Sequence, residues 1–303
     1  MENFILTISL LVIGIVLRRM KDFPENSSHT LNMFVIYVSL PALVLIKVPE
    51  LKFSFGLLAT AIMPWVMLII SAGLVLFFSK ILNWTREITG ALMLIVPLGN
   101  TSFLGLPMVR AYFGDSAIPF ALMYDQLGSF LALAIYGSLV IAIYAKTQQK
   151  LTVGSVLMKV LVFPPFISLI IALALYTTEL PAMYFNVLTP IAETLVPVVM
   201  IAVGFQLSLK LELDKLKPFL VGLSIKMIIA PALALLIFML LGLKGMVYQV
   251  TVFEVAMPPM ISAGALAIIA NLSPKLTAAM VAYGIMLSFV TLPLIYYIVN
   301  NVL

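Results

Sequence analysis

Two stretches decide how this chain folds: Val96-Pro97-Leu98-Gly99-Asn100-Thr101-Ser102-Phe103-Leu104-Gly105-Leu106-Pro107 and Ala256-Met257-Pro258-Pro259-Met260-Ile261-Ser262-Ala263-Gly264. Each lies inside a long apolar run and places prolines and small polar residues where a membrane-crossing helix should continue. Proline lacks the backbone donor and its ring clashes with the carbonyl one turn back, so each stretch is expected to kink or unwind its helix. Backbone unwound at membrane depth must be satisfied by protein or by water in a cavity. A half-helix N-terminus exposed there offers free amides and partial positive charge, which suit an anion. Asn100, Thr101, Ser102 and Ser262 are placed to cap those ends or to contact a ligand, with Gly99, Pro258, Pro259 and Gly264 forming the backbone around them. An ordinary proline kink would account for one such span, but breaks at matching places in two spans point to a paired device.

The surrounding sequence demands a bilayer. The 303 residues are 63% hydrophobic and only 10% charged, against about a quarter charged in soluble domains, and mean hydropathy is +1.21. A hydrocarbon core about 30 Å thick takes roughly 20 apolar residues in helix. On that measure the spans fall near residues 3–18, 30–47, 56–79, 87–112, 117–144, 153–176, 187–208, 218–241, 246–271 and 275–299. The two quoted stretches then interrupt the fourth and ninth spans. The net charge of +5 forms no nucleic-acid patch, because the basic residues are spaced between apolar runs. They set topology instead. With the N-terminus outside, Arg18, Arg19, Lys21, Lys80, Arg86, Lys146, Lys150, Lys159, Lys210, Lys215, Lys217 and Lys275 fall inside, against Lys47, Lys52, Arg110 and Lys244 outside. Both termini are therefore expected outside a multi-pass protein of the cell (plasma or inner) membrane.

A weak internal repeat runs through the chain. Pro41 matches Pro197, Pro64 matches Pro231, Pro97 matches Pro258, and Tyr124, Ser129 and Phe130 recur as Tyr283, Ser288 and Phe289, in the same order and at offsets of about 160 residues. Five spans separate equivalent positions, and five is odd, so the second copy should enter the membrane in the opposite orientation. The expectation is an all-α membrane protein of about ten transmembrane helices in a five-plus-five inverted repeat, residues 1–148 and 149–303.

Chemistry-bearing side chains are few. There is no cysteine, and the single His29 lies in a polar stretch, so neither a metal centre nor a cofactor is expected and most catalytic constellations are excluded. Asp125, Glu193 and Glu254 fall within spans and are candidates for holding a coupling ion or proton, since an intramembrane carboxylate is costly unless paired, neutralised or hydrated. Glu193 and Glu254 each precede a break proline by one turn; an outer-interface position is the plainer alternative for both. Lys226 either snorkels inward on its long stem or supplies a counter-charge in the bundle. Pro41, Pro97, Pro107 and Pro197 are expected as structural helix breaks, Pro41 and Pro197 with apolar neighbours that offer no ligand.

The segment Gly99-Asn100-Thr101-Ser102-Phe103-Leu104-Gly105-Leu106-Pro107, followed by Tyr124-Asp125-Gln126, resembles the auxin efflux carrier family, especially its compact bacterial members. The resemblance covers nearly the whole chain. It implies a fold like that of sodium/proton antiporters and bile acid symporters, with the fourth and ninth helices crossing in a transport domain beside a scaffold domain. It further implies transport of small organic anions, and a binding crossover at Asn100 and Pro258–Gly264. The long loop of the large plant carriers is missing here, which argues against auxin itself. The reading is thus a secondary transporter coupled to protons or sodium, with the bilayer as solvent and a homodimer left open. A passive anion channel is the alternative, and an intramembrane enzyme a remoter one, since no Gly-x-Gly-Asp partner accompanies Tyr124-Asp125.

Overall fold

Apolar runs of bilayer length become helices close to where hydropathy puts them. The computed structural model describes residues 2–24, 26–50, 55–145, 153–176, 178–206 and 215–303. Lys52, Lys146, Lys150 and Lys210, and the 148/149 boundary between the expected repeats, lie outside the described residues. In chain order the helices are α1 (Glu2–Leu17), α2 (Ser27–Lys47), α3 (Phe55–Ile81), α4 (Arg86–Ile95), α5 (Leu106–Phe113) and α6 (Asp115–Tyr144). They continue as α7 (Val153–Leu161), α8 (Pro164–Ala174), α9 (Ala182–Gln206), α10 (Leu216–Leu240), α11 (Met246–Val255), α12 (Ile261–Ile269) and α13 (Pro274–Val302).

Among the described residues, six helices are long and apolar enough to cross a membrane: α2, α3 from Gly56, α6, α9, α10 and α13. Each buries less than half of its apolar window against protein. Their remaining apolar surface, including Ile69, Leu240 and Val290, is exposed and has lipid as its natural partner. The chain is therefore an all-α, multi-spanning membrane protein.

Proline shapes several helices without ending them. In α2 a π-helical turn at Val35–Ser39 precedes Pro41, and in α10 one at Ile225–Ile229 precedes Pro231. The wider turn relieves the clash between the ring and the preceding carbonyls, so both helices run on. The expected interruption at Pro41 is thus a bulge within a continuous helix. In α9 the regular α-helix is interrupted at Thr194, three residues before Pro197, and the Thr194 hydroxyl donates to the Ile191 carbonyl at 2.6 Å. The expected span 153–176 divides in two, because Phe163 precedes Pro164 in extended conformation and Pro164 starts a new helix at its first position.

The chain forms two compact units, each assembled from both sequence halves. One holds Met1–Ser54, Ser102–Leu122 and Met158–Leu207; the other holds Phe55–Thr101, Met123–Leu157 and Ser208–Leu303. In the first, α1 lies directly on α9, where a Cβ on Gly14 would overlap the Ile201 carbonyl and one on Gly204 the Leu11 carbonyl. Paired glycines at a crossing let two backbones meet, the usual way membrane helices gain packing without a hydrophobic drive. Ser39 and Thr194 share a hydrogen bond of 2.7 Å between α2 and α9. The core of the second unit gathers Leu92, Leu94 and Ile95 of α4, Leu223 of α10, Ala263 and Ala267 of α12, and Leu276 and Met280 of α13.

Candidate functional site

Residues 96–100 and 256–260 of the two quoted stretches are unwound and meet within the second unit, whereas both stretches are helical beyond them, so the break expected at Pro107 falls instead before Thr101. α4 ends at Ile95 and α11 at Val255, each after ten residues, and five residues pass before helix resumes at Thr101 and at Ile261. Ten residues rise about 15 Å, half of a hydrocarbon core of about 30 Å. Gly99 and Pro259 form an antiparallel bridge. The Asn100 N–H donates to the Pro258 carbonyl at 2.8 Å, and the Met260 N–H donates to the Leu98 carbonyl at 3.0 Å.

The prolines explain the local structure atom by atom. Pro97 cannot donate to the Met93 carbonyl, and the Tyr136 hydroxyl takes that acceptor at 2.8 Å. Pro258 cannot donate to the Glu254 carbonyl, which instead receives the Met257 N–H at 3.2 Å. Pro259 cannot donate to the Val255 carbonyl, and the Lys226 ammonium does so at 3.1 Å. Pro258 and Pro259 rest on Gly284 of α13, where a Cβ would come within 2.6 Å of Pro259 Cδ. On the opposite arm a Cβ at Gly99 would stand 3.0 Å from Lys226 Nζ. Glycine is needed at Gly284, where a rigid proline ring leaves no room for a Cβ, whereas at Gly99 the crowding atom is the end of a flexible lysine.

Charge collects around this bridge. Asp125, only 1% exposed, accepts from Thr101 Oγ1 at 2.6 Å and from Gln126 Nε2 at 2.7 Å. Glu254 is fully buried, and neither carboxylate oxygen has a hydrogen-bond partner. The charges it feels are those of Asp125 and Lys226. Lys226 is itself only 4% exposed, so it does not snorkel. Asn100 Nδ2 and Gln126 Oε1 are also buried without partners. Four of the six unpartnered buried side-chain atoms among the described residues thus belong to one cluster. Buried polar groups are normally satisfied, so such a concentration makes this cluster the candidate site.

The structure therefore brings together Gly99, Asn100, Thr101, Asp125, Glu254, Pro258 and Pro259. Ser262 and Gly264 follow on α12, Ser262 half-buried and Gly264 against Val281 of α13. Ser102, Pro107, Pro41, Pro197 and Glu193 belong to the first unit. There Glu193 is exposed and lines a cavity of about 280 Å³ with Thr7, Pro107, Arg110, Asp115 and Pro197. Arg110 pairs with Asp115 at 2.7 Å in that cavity. The sequence reading left Lys226 and Gln126 out of the site. Lys226 had a usable signal: of two adjacent prolines, the second orphans a carbonyl, and a cation in a neighbouring span is its natural partner.

Ionisable groups inside a membrane bundle mark transport paths, and this fold and cluster define a polytopic membrane transport protein. The chain belongs to the membrane transport protein family, whose profile matches residues 1–296. It is 24% identical to an uncharacterised transporter of Methanocaldococcus jannaschii over 310 residues, covering 99% of each chain. A similar uncharacterised transporter of Methanothermobacter thermautotrophicus is 26% identical over 297 residues, 97% of this chain and 96% of the other. Membership places the chain among transporters rather than enzymes.

Proposed function

We propose that this protein is a secondary active transporter of small organic anions such as carboxylates, working by alternating access with proton or sodium coupling. It sits in the cell membrane with both termini outside, as ten spans in a five-plus-five inverted repeat. The supporting observation is the crossover. The two ten-residue half-helices begin at 86 and 246, an offset of 246 − 86 = 160, and the bridged residues 99 and 259 have the same offset, 259 − 99 = 160. Shifting each partner of the Asn100-to-Pro258 hydrogen bond by 160 gives the Met260-to-Leu98 bond. Every antiparallel bridge exchanges its hydrogen bonds in this way, so the support lies in the two half-helices starting at the same offset as the bridged residues, as two repeats meeting at the bridge require.

Two donors suit a carboxylate: the unpartnered Asn100 amide and the Lys226 ammonium. The family likeness adds malate-like or malonate-like acids as first substrates. The test is uptake into proteoliposomes of radiolabelled acetate, malonate and malate, with pH and sodium gradients imposed separately. Accumulation above the external concentration supports the carrier, while equilibration with currents far above carrier turnover would establish the passive channel.

A further inference from the structure

We propose that Glu254 carries the coupling proton and that Lys226 is a tethered cation that takes the proton's place beside it, so that anion and proton move together without sodium. This rests on the organic-anion reading above and names its coupling.

Glu254 is fully buried with both oxygens unpartnered, a setting in which a bare carboxylate does not persist. Two positive charges are at hand to neutralise it, a proton or the Lys226 ammonium. Lys226 Nζ bonds the carbonyl of Val255, the next residue in the chain, and uses one of its three hydrogens there. A four-carbon stem lets the ammonium pass from that carbonyl to the neighbouring carboxylate. In the proposal, the arrangement with Lys226 on the Val255 carbonyl is the proton-bound one. With the proton gone, Lys226 pairs with Glu254. No covalent step is needed beyond protonation of a carboxylate oxygen.

Asp125 is the fixed charge, because Thr101 and Gln126 both donate to it. The titratable groups acting on Glu254 are Tyr124 and Asp125 from α6 and Lys226 from α10. Among the described residues, α3 and α13 also pack on α11, and α3 meets it through the uncharged pair Thr60 and Thr251. The formal charge of Asp125, Glu254 and Lys226 is −1 (one cation against two anions), and a proton brings it to zero. An incoming anion is repelled by the first state and not by the second. Proton and anion therefore favour each other's binding, and thermodynamic linkage makes the preference reciprocal.

The experiment uses the full chain in proteoliposomes with radiolabelled malonate, malate and acetate. In sodium-free buffer, an acidic exterior should drive accumulation, and a sodium gradient at equal pH should add nothing. Glu254→Gln should lose the response to the pH gradient while substrate-for-substrate exchange stays measurable. Lys226→Met should slow net uptake, which needs return of the empty carrier, more than exchange. Accumulation driven by sodium, or an intact pH response in Glu254→Gln, would overturn the proposal. Should Glu254→Gln fail to insert, Glu254→Asp keeps the carboxyl on a shorter stem, and an unaltered pH profile in it would count as refutation. A wild type that moves none of the acids under any gradient sinks the anion reading itself, and the coupling with it.

Discussion

Gly284→Ala tests whether the crossover is held as rigidly as the contacts around it require. The new Cβ would lie 2.6 Å from Pro259 Cδ and 3.3 Å from Pro258 Cβ, against a comfortable carbon separation of about 3.5–4.0 Å. A flexible side chain would swing away, but a proline ring cannot, and Pro259 is fixed on its far side by the bridge to Gly99. Two effects oppose each other. Alanine in a helix interior gains about 1 kcal/mol over glycine, whereas overpacking a filled site costs about 1–3 kcal/mol. The clash prevails, for a net loss of up to about 2 kcal/mol. Gly73→Ala is the control, since Gly73 is exposed on α3 with no atom within 4 Å of the added methyl, and it keeps only the gain. In detergent, Gly284→Ala should melt below Gly73→Ala, and its carboxylate uptake should fall because the Asn100-to-Pro258 hydrogen bond is displaced. A Gly284→Ala protein that melts with the control and transports normally would refute the rigid crossover.

Three other outcomes are expected. Asn100→Ala removes a buried amide whose Nδ2 has no partner in the protein, so stability should hold while uptake drops strongly; near-normal uptake would remove Asn100 from the site. Thr101→Val keeps the shape but deletes a 2.6 Å donor to Asp125, worth about 1.5–3 kcal/mol for a bond to a charged group; a melting temperature and ion dependence both equal to wild type would show that Asp125 does not rely on it. Gly204→Val forces α9 off the Leu11 carbonyl of α1 and should lower thermal stability and folded yield, which size-exclusion profiles would register; an unchanged profile would contradict the close helix contact.

Helix positions were legible in this sequence because the bilayer imposes a length rule that hydropathy reads directly, and the two broken spans were legible because proline acts on its own helix. The Pro41 bulge shows the limit of that reasoning: a π-helical turn absorbs the ring and nothing in the local residues distinguishes absorbing from breaking. The split at Phe163 was readable in principle from Pro164-Pro165, but the apolar run through 153–176 masked it. Side-chain partners were less accessible. Glu193 and Glu254 look alike in sequence, each four residues ahead of a proline, yet one is exposed and the other fully buried. What separates them is the neighbouring helix, and a single sequence carries no record of that. The choice for Lys226 between snorkelling and a buried place in the bundle was not legible for the same reason, since its carbonyl partner lies 29 positions away at Val255.

The two arms of the crossover match in half-helix length and offset but differ in chemistry, and that difference carries meaning. Under the offset of 160, Asn100 corresponds to Met260, Thr101 to Ile261, and Glu254 to Leu94. One arm thus supplies the amide and hydroxyl, while the other supplies the carboxyl, and apolar side chains stand at each opposite position. Similar backbones give the two arms similar conformational options, which favours two states close in energy, as alternating access needs. Identical chemistry on both arms would add a further carboxyl to the buried space that already holds Asp125 and Glu254, where the added repulsion would have to be relieved by a second proton or cation. With one carboxyl on the second arm and Lys226 beside it, a single proton suffices to neutralise the cluster, so the asymmetry itself argues for one proton moved with each anion.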